Sequence, residues 1–341
     1  MGFGDLLLLR GDEIVELFRG RERSVVDAVK CAYQVAEQGD CSIPNCPFLR
    51  FPGHPADRII PKPAFLGGGF QVAGIKWIGS FPGNLSKGLE RASATVILNS
   101  METGIPEAVM EGSVISAYRT AASAALAAEV LGAGKLESLG VLGCGLISFE
   151  TVRFLRALQP ELRTIRLMDL SSERAAHFRD RCRDFTGDLE IEIVADPRRV
   201  FAHSNVVAIA TTAVEPYLED LGGCSSEATI LHTSLRDLKP QAVLMGDNVV
   251  DDIEHACSNA TSLDLTVRQQ GNRDFVRATI GAVLLGKAPA RVGGRPVIFS
   301  PFGLGVLDLA TAHLARTLAM QEGAGTRIDG FLPTPWTERH Y

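Results

Sequence analysis

The run Leu139-Gly140-Val141-Leu142-Gly143-Cys144-Gly145-Leu146-Ile147-Ser148 carries an apolar strand into Gly-x-Gly-x-x-Ser, with a helical pattern following at once. Residues of this kind can hold a pyrophosphate. The first glycine permits a tight turn, the second lets the backbone come close to the phosphates, and the free N–H groups of the helix start receive their charge. Ser148 stands where a glycine or alanine is usual, and is small enough for helix–strand packing. The next strand pattern, Ile165–Met168, ends at Asp169. That is close to the interval of about 20 residues at which an acid binds the ribose hydroxyls of a dinucleotide. A carboxylate there repels a 2′-phosphate, so NAD is expected over NADP, although Arg166 and Arg174 leave room for NADP. Gly143, Gly145, Leu146, Ile147 and Asp169 are therefore the expected cofactor contacts. The bland alternative is an ordinary strand–helix turn, with Asp169 as a turn residue.

A second group of residues is conspicuous for its setting. Arg50, Arg58, Lys76, Arg91 and Arg119 lie in or beside apolar or glycine-bearing segments, which is unusual for solvated surface charge. Arginine suits bidentate carboxylate recognition, and Lys76, between Ile75 and Trp77, suits a point charge. The seven cysteines (31, 41, 46, 144, 182, 224, 257) are odd in number and lack CxxC spacing, so no metal site is expected. His232 is given no role, and Cys144 reads as a small residue in the glycine loop.

These residues must be positioned by two domains, since 341 residues exceed what one core usually organises. The first third is mixed and β-rich. Residues 12–38 have helical periodicity, Val72–Ile78 and Ala94–Leu98 read as strands, and Thr103-Gly104 reads as a hairpin turn. From Ser116 an alanine-rich helix leads into alternating strands and helices: 138–142, 146–158, 164–168, 172–185, 190–194, 197–203, 206–210, 229–231 and 248–250. Such alternation predicts a doubly wound parallel sheet. A helix is expected near 273–285, and a final helix at 304–320 is expected to return to the first domain. The fold class is thus α/β, a Rossmann sheet at 121–306 plus a mixed α+β substrate and dimerisation domain at 1–120 with 307–341.

Composition narrows the partners. Hydrophobic residues make up 46%, charged residues 22%, and the formal net charge is −6. No basic block points to nucleic acid, and no run reaches the ~18 apolar residues of a membrane span. The N-terminal MGFGDLLLLR lacks signal-peptide features, and Leu6 stands where myristoylation of Gly2 wants Ser or Thr. Unpaired thiols fit the reducing cytoplasm.

Several segments now count together: ADRII (56–60), GIKWIGS (74–80), ERASATVILN (90–99), TGIPEAVMEGSVISAYRTAA (103–122), GCGLIS (143–148), LHTSLRDLKP (231–240) and SPFGLGVLDLA (300–310). Their order and spacing resemble the ornithine cyclodeaminase/mu-crystallin family over nearly the whole chain. The resemblance implies a homodimeric, NAD-dependent oxidoreductase working at a carbon–nitrogen bond of an amino-acid-derived substrate. It implies that Lys76 and Arg50 hold the substrate carboxylate and that Arg119 lies near both cofactor and substrate. Asp237 would be the acid/base, where its residues alone read as a helix N-cap. Phe302 would face the substrate, and Thr212, Leu231 and Ser234 the cofactor.

The ADRII, IKWIGS and ERAS blocks look most like the branch that oxidises N-(2-amino-2-carboxyethyl)-L-glutamate to L-2,3-diaminopropionate and 2-oxoglutarate, for siderophore or peptide-antibiotic assembly. A substrate with three carboxylates would suit Arg58 and Arg91 as further ligands. Three departures stand out. Leu235-Arg236 replaces a glycine pair, Pro301 replaces a serine, and Ile60-Pro61-Lys62-Pro63 lacks the glutamate that binds the side-chain amine of ornithine. Ornithine cyclodeamination, alanine dehydrogenation, ketimine reduction and a non-catalytic crystallin-like binder remain the alternatives.

Overall fold

The structure, a computed structural model, describes residues 4–132, 134–187, 189–334 and 336–339; Gly2 lies outside them. The chain forms two compact units. One comprises residues 1–21, 38–119 and 304–341, the other residues 22–37 and 120–303.

The first unit is built on a mixed sheet. Its strands are β1 (Leu6–Leu9), β2 (Cys41–Ser42), β3 (Leu49–Phe51), β4 (His54–Leu66), β5 (Val72–Ser80), β6 (Ala92–Asn99) and β7 (Pro106–Glu111), with a short strand at Thr326–Ile328. In space the order is Thr326–Ile328, β1, β7, β6, β5, β4, β2, with β3 also on β4. Only β1 and β7 are parallel. The β6–β7 turn contains Gly104 at φ +73°, as the Thr103-Gly104 pattern predicts. Pro61 and Pro63 fall where β4 passes between its pairings with β3 and β2, so that its outer edge has no strand partner there. A residue without an N–H is tolerated at such an edge. The helix Gly305–Glu322 packs on β4, β5 and β6.

The second unit is a fully parallel sheet of β8 (Ser138–Leu142), β9 (Thr164–Met168), β10 (Glu190–Ile193), β11 (Val206–Ile209), β12 (Thr229–His232), β13 (Asp247–Val250), β14 (Val276–Thr279) and β15 (Val297–Phe299). The order is β10-β9-β8-β11-β12-β15-β13-β14. Direction of winding reverses between β8 and β11, the place where doubly wound sheets bind ligands. The fold class is the α/β class expected from the alternation.

Three local expectations are corrected. Gly20, at φ +69°, breaks the helical stretch into Gly11–Phe18 and Glu22–Glu37. The second of these helices groups with the parallel sheet rather than with residues 1–120. Its Val25, Val26, Val29, Ala32 and Tyr33 are buried, and Tyr33 Oη lies 2.7 Å from Ser123 Oγ. The helix expected near 273–285 is strand β14 followed by the short helix Ile280–Leu284, because Val276–Thr279 pairs with β13.

Candidate active site

Gly143 ends β8 at φ +91°, with its N–H donating to Met168 O at 2.9 Å. A Cβ there would lie 2.5 Å from Ala210 O, so only glycine fits. Gly145 differs: it caps the helix Leu146–Leu158, and a Cβ on it would meet open space. That open space at the N–H groups of a helix start is what a pyrophosphate needs. Ser148 is buried and donates its hydroxyl to Gly143 O, which pins the loop and accounts for serine at the third position. Asp169 stands beside the loop, accepting from Cys144 N at 2.8 Å and Ser171 N at 2.9 Å. Burial pushes the Cys144 thiol up to about 12, which leaves it un-ionised at neutral pH.

Across the switch point, Asp237 is buried within a ring of hydroxyls and one imidazole. Thr211 and Ser234 donate their hydroxyls to its carboxylate, and His232 Nε2 lies 3.2 Å from Oδ2. His232 in turn has Nδ1 3.0 Å from Ser300 Oγ. Burial works to raise the Asp237 carboxyl, but these hydrogen bonds and the His232 charge outweigh it and hold it below the usual carboxylate range. It therefore stays ionised, the form a general base requires. The loop that presents it is itself fixed. Leu235 takes φ +72°, a left-handed backbone that costs a branched residue energy. That φ is why glycine suits this place. Compensation comes from the turn at 258–262: Ser262 N donates to Leu235 O at 2.8 Å, and Arg236 Nη2 donates to Asn259 O at 2.7 Å. Tyr217 N and Leu218 N donate to Asp237 O.

The first unit holds the cations. Lys76 and Asp308 have side chains 1% and 0% exposed and form an ion pair of 2.8 Å. Arg119 Nε donates to the same oxygen of Asp308 at 2.9 Å, and Lys76 Nζ donates to Ser116 Oγ at 3.0 Å. Asp308 Oδ2 has no hydrogen-bond partner among the described residues. Burial lowers the Lys76 ammonium to about 7 despite the attraction of Asp308, and Arg119 and Lys62 add to the lowering. The two arginines of β3 and β4 stand directly opposite each other, Arg50 against Arg58. Arg91 lies just before β6, its carbonyl accepting from Phe81 N at 2.8 Å.

The expected residues thus form separate groups. Gly143 and Gly145 lie in the loop after β8, Leu146 and Ile147 open the helix that follows, and Asp169, after β9, meets the loop at Cys144 N, while Thr212 sits exposed after β11. Ser234 binds Asp237, and Leu231 is a buried core residue of β12. Phe302 N donates to Asp251 Oδ1 at 2.8 Å, and its ring lies against His255. Asp308, His232, Thr211 and Asp251 are positions that sequence reasoning left without a role. Among the described residues no three His, Cys, Asp or Glu side chains are grouped to hold a metal, all seven cysteines are free, and no helix is long and apolar enough to cross a membrane.

The sequence model of the ornithine cyclodeaminase/mu-crystallin family matches residues 13–322. The chain is 30% identical over 332 residues to N-((2S)-2-amino-2-carboxyethyl)-L-glutamate dehydrogenase of Staphylococcus aureus, covering 95% of this chain and 98% of that protein. An archaeal alanine dehydrogenase dimer with bound NAD superimposes with a TM-score of 0.84 at 25% identity, covering 95% and 99% of the two chains. Thermococcus litoralis Δ1-pyrroline-2-carboxylate reductase, solved with NADH and L-proline, gives a TM-score of 0.87 at 24% identity, covering 94% and 99%. The fold and site define an NAD-dependent oxidoreductase acting on the CH–NH bond of amino-acid substrates. The chain belongs to the ornithine cyclodeaminase/mu-crystallin family.

Replacing the acid beside the glycine loop tests the cofactor assignment. Asp169→Ala is expected to weaken NAD binding and narrow the gap to NADP, read as the two dissociation constants. An unchanged ratio would contradict a ribose role for Asp169.

Proposed function

We propose that the protein oxidises N-(2-amino-2-carboxyethyl)-L-glutamate with NAD, releasing L-2,3-diaminopropionate and 2-oxoglutarate. The observation that carries this reading is the concentration of cations on the first unit: buried Lys76 and Arg119 beside one carboxylate, and Arg50 directly opposite Arg58. Like charges directly opposed weaken a sheet, and a substrate with several carboxylates would compensate them. Alanine, with one carboxylate, makes no such demand, and ornithine brings a second cation.

Lys76 and Arg50 hold the carboxylate next to the reacting carbon, Arg119 lies near it and the cofactor, Arg58 and Arg91 serve the other carboxylates, and Phe302 faces the substrate. NAD, held at the glycine loop, would supply the acceptor for the hydride that leaves the α-carbon of the glutamate part. Asp237 takes the proton of the secondary amine as the C=N bond forms. Asp237 returns that proton to the imine nitrogen, and the carboxylate so freed accepts a proton from the water that attacks the imine carbon and passes it to the departing nitrogen. The balance is substrate, NAD+ and water to diaminopropionate, 2-oxoglutarate, NADH and a proton. Gly143, Gly145, Leu146, Ile147, Asp169, Thr212, Leu231 and Ser234 are assigned to the dinucleotide, with Arg119 beside it. We place the enzyme in the cytoplasm as a homodimer serving siderophore or antibiotic precursor supply.

One mole of 2-oxoglutarate is expected per mole of NADH, and NADH without 2-oxoglutarate would overturn the cleavage step. The pH dependence follows from Lys76. Because its ammonium is lowered to about 7, kcat/KM is expected to fall as pH rises past that value, while the free enzyme loses the charge that binds carboxylate. A flat profile through that region would show that Lys76 keeps its proton or takes no part in binding.

A further inference from the structure

The like-charged opposition of Arg50 and Arg58 is repeated four residues further along β4. In the β4–β5 ladder Lys62 stands directly opposite Lys76, and Arg58 opposite Ser80. Side chains alternate along a strand, and directly paired residues share a face, so Arg58, Lys62, Lys76 and Arg50 all lie on one face of the sheet. Asp308 is the carboxylate bound there to Lys76 and Arg119. Lys62 sits between Pro61 and Pro63, whose rings fix their own backbone angles and so stiffen the strand where the lysine is presented. It is half-buried, and near enough to act on its neighbours: its charge helps depress the Lys76 ammonium and helps keep Asp308 ionised.

We propose that Lys62 is a specificity-determining residue that holds a second carboxylate of a di- or tricarboxylic amino acid, beside the carboxylate held by Lys76. The assignment rests on the proposed reading of the substrate as a polycarboxylate. An ammonium at this place attracts an additional carboxylate and repels the side-chain ammonium of a diamino acid. It thus selects for one substrate class and against another with the same group.

The test uses Lys62→Gln and Lys62→Arg in the full chain. Against N-(2-amino-2-carboxyethyl)-L-glutamate, Lys62→Gln is expected to raise KM about tenfold or more, the size of a lost charged hydrogen bond, with kcat little changed. In the NADH-bound enzyme the dissociation constant of 2-oxoglutarate should rise likewise and that of pyruvate should not, while Lys62→Arg restores most of the difference. Equal loss for both keto acids, or a fall in kcat alone, would mean a structural role and overturn the assignment. Unchanged KM and binding in Lys62→Gln, with the parent enzyme active on this substrate, would overturn Lys62 and leave the proposed function intact. An inactive parent enzyme whose 2-oxoglutarate binding still depends on Lys62 would sink the named substrate and support the lysine.

Discussion

Asp237→Asn is expected to lower turnover by at least about 100-fold, the low end of what a general acid–base group contributes. The change is nearly isosteric and leaves the loop held by Ser262 and Arg236 untouched; of Thr211 and Ser234, which donate to different oxygens, one still donates to the amide oxygen and the other turns to accept from the amide NH2. What disappears is the proton acceptor, together with the negative charge facing His232. NAD binding is expected to stay close to that of the parent, because the glycine loop after β8 makes no hydrogen bond to Asp237. Turnover at saturating NAD and a direct titration of NADH separate the two effects. A variant retaining more than a tenth of the activity would remove Asp237 from the mechanism.

Asp308→Ala is expected to cost stability more than any other single change in the cationic cluster. Its carboxylate is fully buried and serves two cations through one oxygen, Lys76 at 2.8 Å and Arg119 at 2.9 Å. Removing one member of a buried ion pair leaves the other charges unpaired, typically at about 3–5 kcal/mol. The urea midpoint of the unit that contains the mixed sheet should fall accordingly. A loss below about 1 kcal/mol would mean that Lys76 simply gives up its proton, in line with its depressed ammonium. In that event carboxylate binding at neutral pH should fail even though the fold survives.

How much of this was legible in the sequence depends on distance along the chain. The strand, glycine turn and helix at 138–158, and the place of Asp169 at the end of the next strand, are legible because these elements follow one another directly and each leaves a local pattern. The return of the helix Gly305–Glu322 to the first unit is also expected from the sequence. Asp308 is not, since its partners Lys76 and Arg119 lie 232 and 189 residues away and no local spacing links them. A signal did exist: Asp308 is an acid set in the small apolar run of that helix, on a side the packing buries. His232 and Asp237 are only five residues apart, but a lone histidine after a strand is most often structural, and only the fold around β12 brings both into contact. The loss of the glycine pair at Leu235-Arg236 reads from sequence as a departure. In the structure it marks a left-handed backbone two residues before the buried Asp237. The strand Val276–Thr279 was hidden because a short apolar run looks alike in strand and helix, and its pairing with β13 decides the matter.

The most direct test of the central claim is the absorbance of reduced nicotinamide formed from NAD with N-(2-amino-2-carboxyethyl)-L-glutamate, alongside ornithine, alanine and glutamate under identical conditions. The account predicts NADH with the first substrate alone, matched by 2-oxoglutarate. NADH formation from alanine or ornithine, with none from the tricarboxylate, would contradict it.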